Sequence, residues 1–312
     1  MDSIINYTVI IPHKNCPDLL ERCVDSIPIR NDIQVVVVDD NSDNVEKIKE
    51  LESKYHNRNI LFVYTKDGKG AGFARNQGLN MAKGKWLLFS DSDDFFAENA
   101  FSCFDEYLDS EYDIVFFKHQ GIDSETLAPL ERSGLRNEFV ENFVNSHLLY
   151  WENKLRYNND VPWAKMVRHA IVLEEKIKFD EVPASNDTMF SVYCGYYAKS
   201  IAADNRIAYV AVTRFGSISK TKNKERYWSS FKENVLHNEF VKKIGHAENQ
   251  GFLFSRWLQC LFNFGLTDFF RYYKFAASHN VNIFTGANSY FSPRELLRHF
   301  KTYFTKDKYM KK

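Results

Sequence analysis

The sequence predicts an α/β fold with a mostly parallel central sheet and helices on both faces, followed by a helical C-terminal region. Three observations carry this reading. Short β-rich runs alternate with amphipathic helical stretches over the first hundred residues; the run Ile33 to Val38 ends in four consecutive valines; and two of the runs stop abruptly in acidic clusters.

Tyr7 to Ile11 is an apolar, β-rich run that stops at Pro12, and Asn15 to Asp18 supply turn and cap chemistry for a helix through Leu19, Leu20, Cys23 and Ile27. Ile33 to Val38 reads as a strand buried on both faces, and it ends in Asp39-Asp40-Asn41-Ser42-Asp43. A helix Val45 to Tyr55, a strand Ile60 to Tyr64, a glycine-rich turn Gly68 to Gly72, a helix Phe73 to Ala82 and a strand Trp86 to Phe89 follow. That last strand runs into Ser90-Asp91-Ser92-Asp93-Asp94, so both acidic clusters fall on one edge of the sheet, where ligands of open α/β sheets bind. Beyond it we expect a helix near Glu98 to Leu108, a strand Ile114 to Phe117, loops or strands from Gly121 to Asn137, and a helix after Ser185-Asn186-Asp187.

Composition narrows the function. The 312 residues carry 41 basic and 41 acidic side chains, a balance that argues against a surface built to grip nucleic acid. Five scattered cysteines with no C-x-x-C pair give no zinc or redox motif and suit reduced thiols in the cytoplasm. No signal peptide and no apolar run long enough for a membrane span is expected. The length lies near the size at which single cores split, and we divide the chain into residues 1–219, with halves of about 1–100 and 101–219, and a helical region 220–312.

Acidic side chains gathered at a sheet edge repel one another unless a cation, hydrogen-bond donors or solvent relieve them. Asp91 and Asp93 stand two apart around one turn, so one can take a metal while the other accepts hydrogen bonds from a ligand. All-oxygen ligation suits Mg²⁺ or Mn²⁺, which binds through one or two carboxylates plus phosphates and water. A solvated acidic loop capping a helix is the plain alternative.

Four stretches decide between these readings by their order. Val9-Ile10-Ile11-Pro12 with Asn15, Val36 to Asp43, Gly72-Phe73-Ala74-Arg75-Asn76-Gln77-Gly78-Leu79 with Ala82-Lys83-Gly84, and Phe89 to Asp94 together resemble the family 2 glycosyltransferases, over about residues 7–220. The resemblance implies a glycosyltransferase A-type fold in residues 1–219 and metal-dependent, inverting transfer of a sugar, from a nucleoside diphosphate such as UDP, to a hydroxyl of a glycan or lipid-linked acceptor. Bacterial surface-polysaccharide assembly is the implied setting. It also implies that Pro12, Asp40, Arg75 and Asp91 bind the nucleotide, with Asp40 and Arg75 at the uracil and Asp91 at the ribose. Asp93 would ligate Mn²⁺ or Mg²⁺ at the diphosphate. An inverting transfer needs a base for the acceptor proton. Asp187 resembles the second member of the family's acidic pair, while Asn186 stands where the first is usually Glu. For Asp187 the competing role is a helix N-cap, and for Asp39 it is a loop cap. Asp39, Trp163, Lys165, Asn186, Arg214 and Ser217 are further candidates for the donor or acceptor pocket.

Two other readings are weighed. Gly68-x-Gly70-x-Gly72 approaches a dinucleotide fingerprint, but G-x-G-x-x-G needs glycine where Phe73 stands. A catalytically silent nucleotide-sugar-binding or scaffold protein on the same fold is separated from an enzyme by the need for Asp187. Finally, residues 289–312 hold seven basic side chains (Arg294, Arg298, Lys301, Lys306, Lys308, Lys311, Lys312) against Glu295 and Asp307, interleaved with Phe291, Leu296, Leu297, Phe300, Tyr303 and Phe304. Such a tail suits peripheral contact with an anionic membrane on its cytoplasmic face, or packing on the protein.

Overall fold

In the computed structural model the first β-rich run is strand β1 (Tyr7–His13), buried along its whole length. It pairs in parallel with β2 (Ile33–Asp39) and β4 (Trp86–Phe89), and β2 pairs in parallel with β3 (Ile60–Tyr64). The crossovers are helices α1 (Pro17–Asp25), α2 (Val45–Lys54) and α3 (Ala71–Met81). The structure describes residues 4–126, 128–130, 134–213 and 223–291.

Alternation along the strands explains the two-sided cover. Val9, Ile11, Val35, Val37 and Leu88 face one core with Leu20 and Val24 of α1, whereas Ile10, Leu87 and Phe89 face a second. Side chains at one spacing therefore fill two layers, which is why these runs read as continuously apolar.

Past β4 the sheet becomes mixed. Among the described residues it has nine strands in the order β3-β2-β1-β4-β8-β6-β9-β5, with β7 on β6. The added strands are β5 (Phe95–Phe96), β6 (Ile114–Asp123), β7 (Pro129–Leu130), β8 (Lys165–Arg168) and β9 (Ile201–Thr213). β8 runs antiparallel to both β4 and β6, while β9 is parallel to β6. The second core is completed by α5 (Gly134–Ser146), α6 (Leu149–Asn158), α7 (His169–Glu174) and α8 (Thr188–Tyr197), with α4 (Ala100–Asp105) on the opposite side. The stretch expected as loops or strands up to residue 137 in fact gives β7 and then enters α5.

The chain divides into two compact units, Met1–Lys222 and Asn223–Lys312. The second contains α9 (Lys224–Lys243), α10 (Phe254–Phe264), α11 (Leu266–Ser278) and α12 (Ala287–Tyr290). Its core is aromatic: Trp257 stacks on Phe269 at 4.2 Å, and Phe231 lies 4.4 Å from Tyr272. Among the described residues no helix is long and apolar enough to cross a membrane. Most of the basic tail, from Ser292 onward, lies outside the described residues.

Candidate active site

The end of β2 presents two carboxylates with opposite fates. Asp39 is spent internally: His13 Nδ1 pairs with its Oδ1 at 2.9 Å, and Ser42 donates to both oxygens, from its hydroxyl at 2.5 Å and its amide at 3.0 Å. Burial opposes the charge on Asp39, but these bonds outweigh it and hold the carboxyl below its usual range. The same pairing lifts His13, against its own burial, to about 9. The loop-capping role is thus the one the structure shows for Asp39. Asp40, 3% exposed, accepts from the Gly70 amide at 2.8 Å through Oδ2, and its buried Oδ1 has no hydrogen-bond partner among the described residues. A buried acceptor left open in this way is matched to a ligand N–H donor. Lys14 ties the loop down by donating to the Asp40 carbonyl at 3.0 Å. Pro12 is the penultimate residue of β1, in register with Val38, so it borders the same strand ends.

The loop after β4 is held from a distance. Asp94 is buried, and its two oxygens accept from the Tyr209 hydroxyl at 2.8 Å and the Val212 amide at 2.7 Å. Tyr209 in turn accepts from the Asp91 amide at 3.0 Å. Burial, helped by the charges of Asp91 and Asp93, pushes the Asp94 carboxyl well above its ordinary value. Asp94 therefore anchors the loop, while the Asp91 side chain is 36% exposed and Asp93 is half-buried. Sequence reading missed Tyr209, whose only local signal is an aromatic in a strand. We expect Tyr209→Phe to cost about 1–3 kcal/mol, because it strands two buried partners while keeping the ring. Urea denaturation measures this, and a wild-type midpoint would refute it.

Helix α3 explains its own motif. A Cβ at position 72 would fall inside the Asp180 carbonyl oxygen and come within 3.0 Å of Asn186 Cβ, so only glycine lets this turn approach the loop before α8. One turn on, Asn76 exchanges hydrogen bonds with both backbone groups of Phe179 at 2.9 Å. Arg75, 4% exposed, donates through Nη2 to Asp91 Oδ1 at 2.5 Å and through Nη1 to Asn186 Oδ1 at 2.8 Å, with its guanidinium 5.3 Å from the Phe179 ring centroid. The resemblance sets this arginine at the base; the structure has it bridging the acidic loop and the turn that carries Asp187.

Asp187 stands at the N-cap of α8, yet its side chain makes no capping hydrogen bond. The carboxylate is not consumed by the helix. Enclosure raises its pKa to about 6, Arg75 pulls it down, and Asp160 and Asp91 push it up. Of the flanking candidates, Trp163 stacks on Tyr209 at 4.9 Å and 8°, with the His119 ring edge-on at 4.8 Å, so one face is already covered. Lys165 is buried, donates to the Asn159 carbonyl at 2.9 Å and is lowered to about 8 by burial, so its ammonium lies inside the fold. Arg214 and Ser217 lie outside the described residues. Asn15, Asn41, Ala164 and Ser185 adopt positive φ of 56°, 59°, 54° and 57°, placing left-handed backbone in four of the site's loops.

Asp91 and Asp93 offer oxygen donors alone, and no group of three or more His, Cys, Asp or Glu among the described residues could enclose a metal. That donor set fits a hard cation which completes its shell with phosphate and water, and it does not fit a protein-enclosed structural metal.

Comparison with known proteins finds glycosyltransferases. A glycosyltransferase of Mycoplasma genitalium, itself uncharacterized, is 34% identical over 122 residues, which are 36% of this chain and 40% of that protein. The Escherichia coli UDP-Glc:α-D-GlcNAc-diphosphoundecaprenol β-1,3-glucosyltransferase WfaP is 23% identical over 76% of this chain and 86% of its own. Among solved structures, S. aureus TarS 1-349 in complex with UDP-GlcNAc matches with a TM-score of 0.60 at 21% identity, covering 86% of this chain and 81% of that one. The mannosyltransferase PcManGT of Pyrobaculum calidifontis, in complex with GDP-Man and Mn²⁺, matches with a TM-score of 0.53 at 17% identity, over 97% of this chain and 81% of its own. These likenesses establish the glycosyltransferase A-type fold. Residues 8–160, which hold both acidic strand ends and α3, match the model of glycosyl transferase family 2 and form a domain of that family.

Proposed function

We propose that this chain is an inverting glycosyltransferase that moves a sugar from a UDP-sugar to a hydroxyl of a glycan or lipid-linked acceptor in cell-surface polysaccharide synthesis. The observation that carries the reading is the uncapped Asp187 carboxylate, joined through Asn186 and Arg75 to the Asp91 loop. A silent binding module has a use for Asp40 and Asp93 but none for a proton acceptor poised near neutrality.

In the proposed reaction Asp40 Oδ1 accepts the uracil imide N–H, and Asp91 meets the ribose. Mn²⁺ or Mg²⁺, held by Asp93, would supply positive charge against the diphosphate. Asp187 takes the proton of the acceptor hydroxyl as that oxygen bonds to the anomeric carbon. The anomeric carbon–oxygen bond breaks on the opposite face, UDP leaves with the electron pair, and the configuration inverts. WfaP is named for a diphosphoundecaprenol-linked acceptor, which supports an acceptor of that class.

A thermal-shift panel of nucleotide sugars with Mn²⁺ tests the donor, because a ligand bound to the native state raises apparent stability. A UDP-sugar is expected to give the largest shift; no response to any nucleotide would sink the reading. Asp93→Asn is expected to abolish the Mn²⁺-dependent part of the UDP shift, and an unchanged metal-supported shift would remove Asp93 from the metal site.

A further inference from the structure

Asn186 is the one place where the acidic-pair motif of this chain departs from its family pattern, and the structure gives the departure a use. Its Oδ1 accepts from Arg75 Nη1 at 2.8 Å, and its carbonyl accepts from the Asp180 amide at 3.1 Å. Its Cβ sits against Gly72 of α3. The residue before it, Ser185, is left-handed, and the residue after it is Asp187. A strained turn keeps its shape only while the surroundings over-determine it, and here α3 and one guanidinium are among what holds it.

That guanidinium is buried and shared. Arg75 gives Nη2 to Asp91 and Nη1 to Asn186, and its Nε has no partner among the described residues. The hydrogen bond from Nη1 needs only an acceptor oxygen of this shape at position 186, and the amide supplies it without adding a charge. Arg75 thus keeps its ion pair with the donor loop while its other arm holds the turn that aims the base.

Resting on the transferase reading, we propose that Asn186 is a positioning residue: through Arg75 it locks the Asp187 turn to the Asp91 loop and touches neither donor nor acceptor. Removing its amide frees the turn while Asp40, Asp91 and Asp93 stay in place. Misplacing a reacting group by about 1 Å costs on the order of 10²-fold, so the effect belongs in kcat and not in donor affinity.

The test compares kcat, donor KM and calorimetric UDP Kd in the wild type, Asn186→Ala and Asn186→Asp. Asn186→Ala is expected to lose about 10- to 100-fold in kcat with Kd and KM within about twofold of wild type. Asn186→Asp, which keeps an acceptor oxygen of the same shape, is expected to restore kcat to within about threefold. If the alanine variant does not fold, Asn186→Ser, whose hydroxyl falls short of Arg75, carries the same expectation. Wild-type kcat in the alanine or serine variant, equal losses in kcat and UDP affinity, or an aspartate variant as slow as alanine each overturns the assignment. A wild-type chain that binds UDP but transfers from no UDP-sugar instead overturns the transferase reading, and this assignment falls with it.

Discussion

Asp187→Asn is expected to lower sugar transfer by about 10²–10⁴-fold while leaving UDP affinity unchanged. Asparagine preserves the shape of the turn and the hydrogen bond between Asn186 and Arg75, and removes only the proton acceptor. Paired initial-rate and calorimetric measurements check it, and a variant at wild-type rate would leave the silent-binder reading in possession of the field. The wild-type rate should also rise with pH as Asp187 ionises, near its value of about 6. Arg75 favours the charged form, Asp160 and Asp91 oppose it, and the Lys165 ammonium is a further neighbouring charge. Stability runs the other way. The folded carboxyl holds its proton more tightly than the unfolded one, so its stabilising contribution is complete below about pH 4 and is lost as pH rises through about 6. Asp187→Asn should therefore be more stable than wild type at pH 7, by roughly 1 kcal/mol after allowing for its partial exposure.

Gly72→Ala is expected to cost about 1–3 kcal/mol and to slow turnover by more than tenfold. The added methyl meets the backbone oxygen of Asp180, which cannot swing aside as a side chain can. Either α3 or the loop 180–186 must retreat, and both carry site residues. Denaturation midpoints and kcat measured on one preparation test this together. A variant with wild-type stability and rate would show that the close approach has slack.

The parallel half of the fold was legible because each strand is a run of apolar residues stopped by turn chemistry, and the acidic ends mark the ligand edge. The mixed half was not. β9 is broken in its middle by exposed Asn205, Arg206 and Ile207, opposite a register irregularity in β6, so it carries no unbroken alternation to read. Helices α5 and α6 have weakly sided patterns, so their periodicity marks no clear buried face. Within the site, residue types were readable and partners were not. Spacing could not show whether Asp39 faces a ligand or a loop, because the answer depends on His13, 26 residues away. Nor could it separate a base from a cap at Asp187, a distinction that rests on a hydrogen bond the side chain does not make.

One tyrosine ring links two parts of the fold: its hydroxyl steadies the acidic turn, and its flat side backs the indole of Trp163. Changes that reshape the indole side would be felt by the acidic turn through this ring. Divergence toward new acceptors is therefore cheapest among residues that do not lean on Tyr209, and lineages that alter Trp163 should be found to have altered position 209 as well.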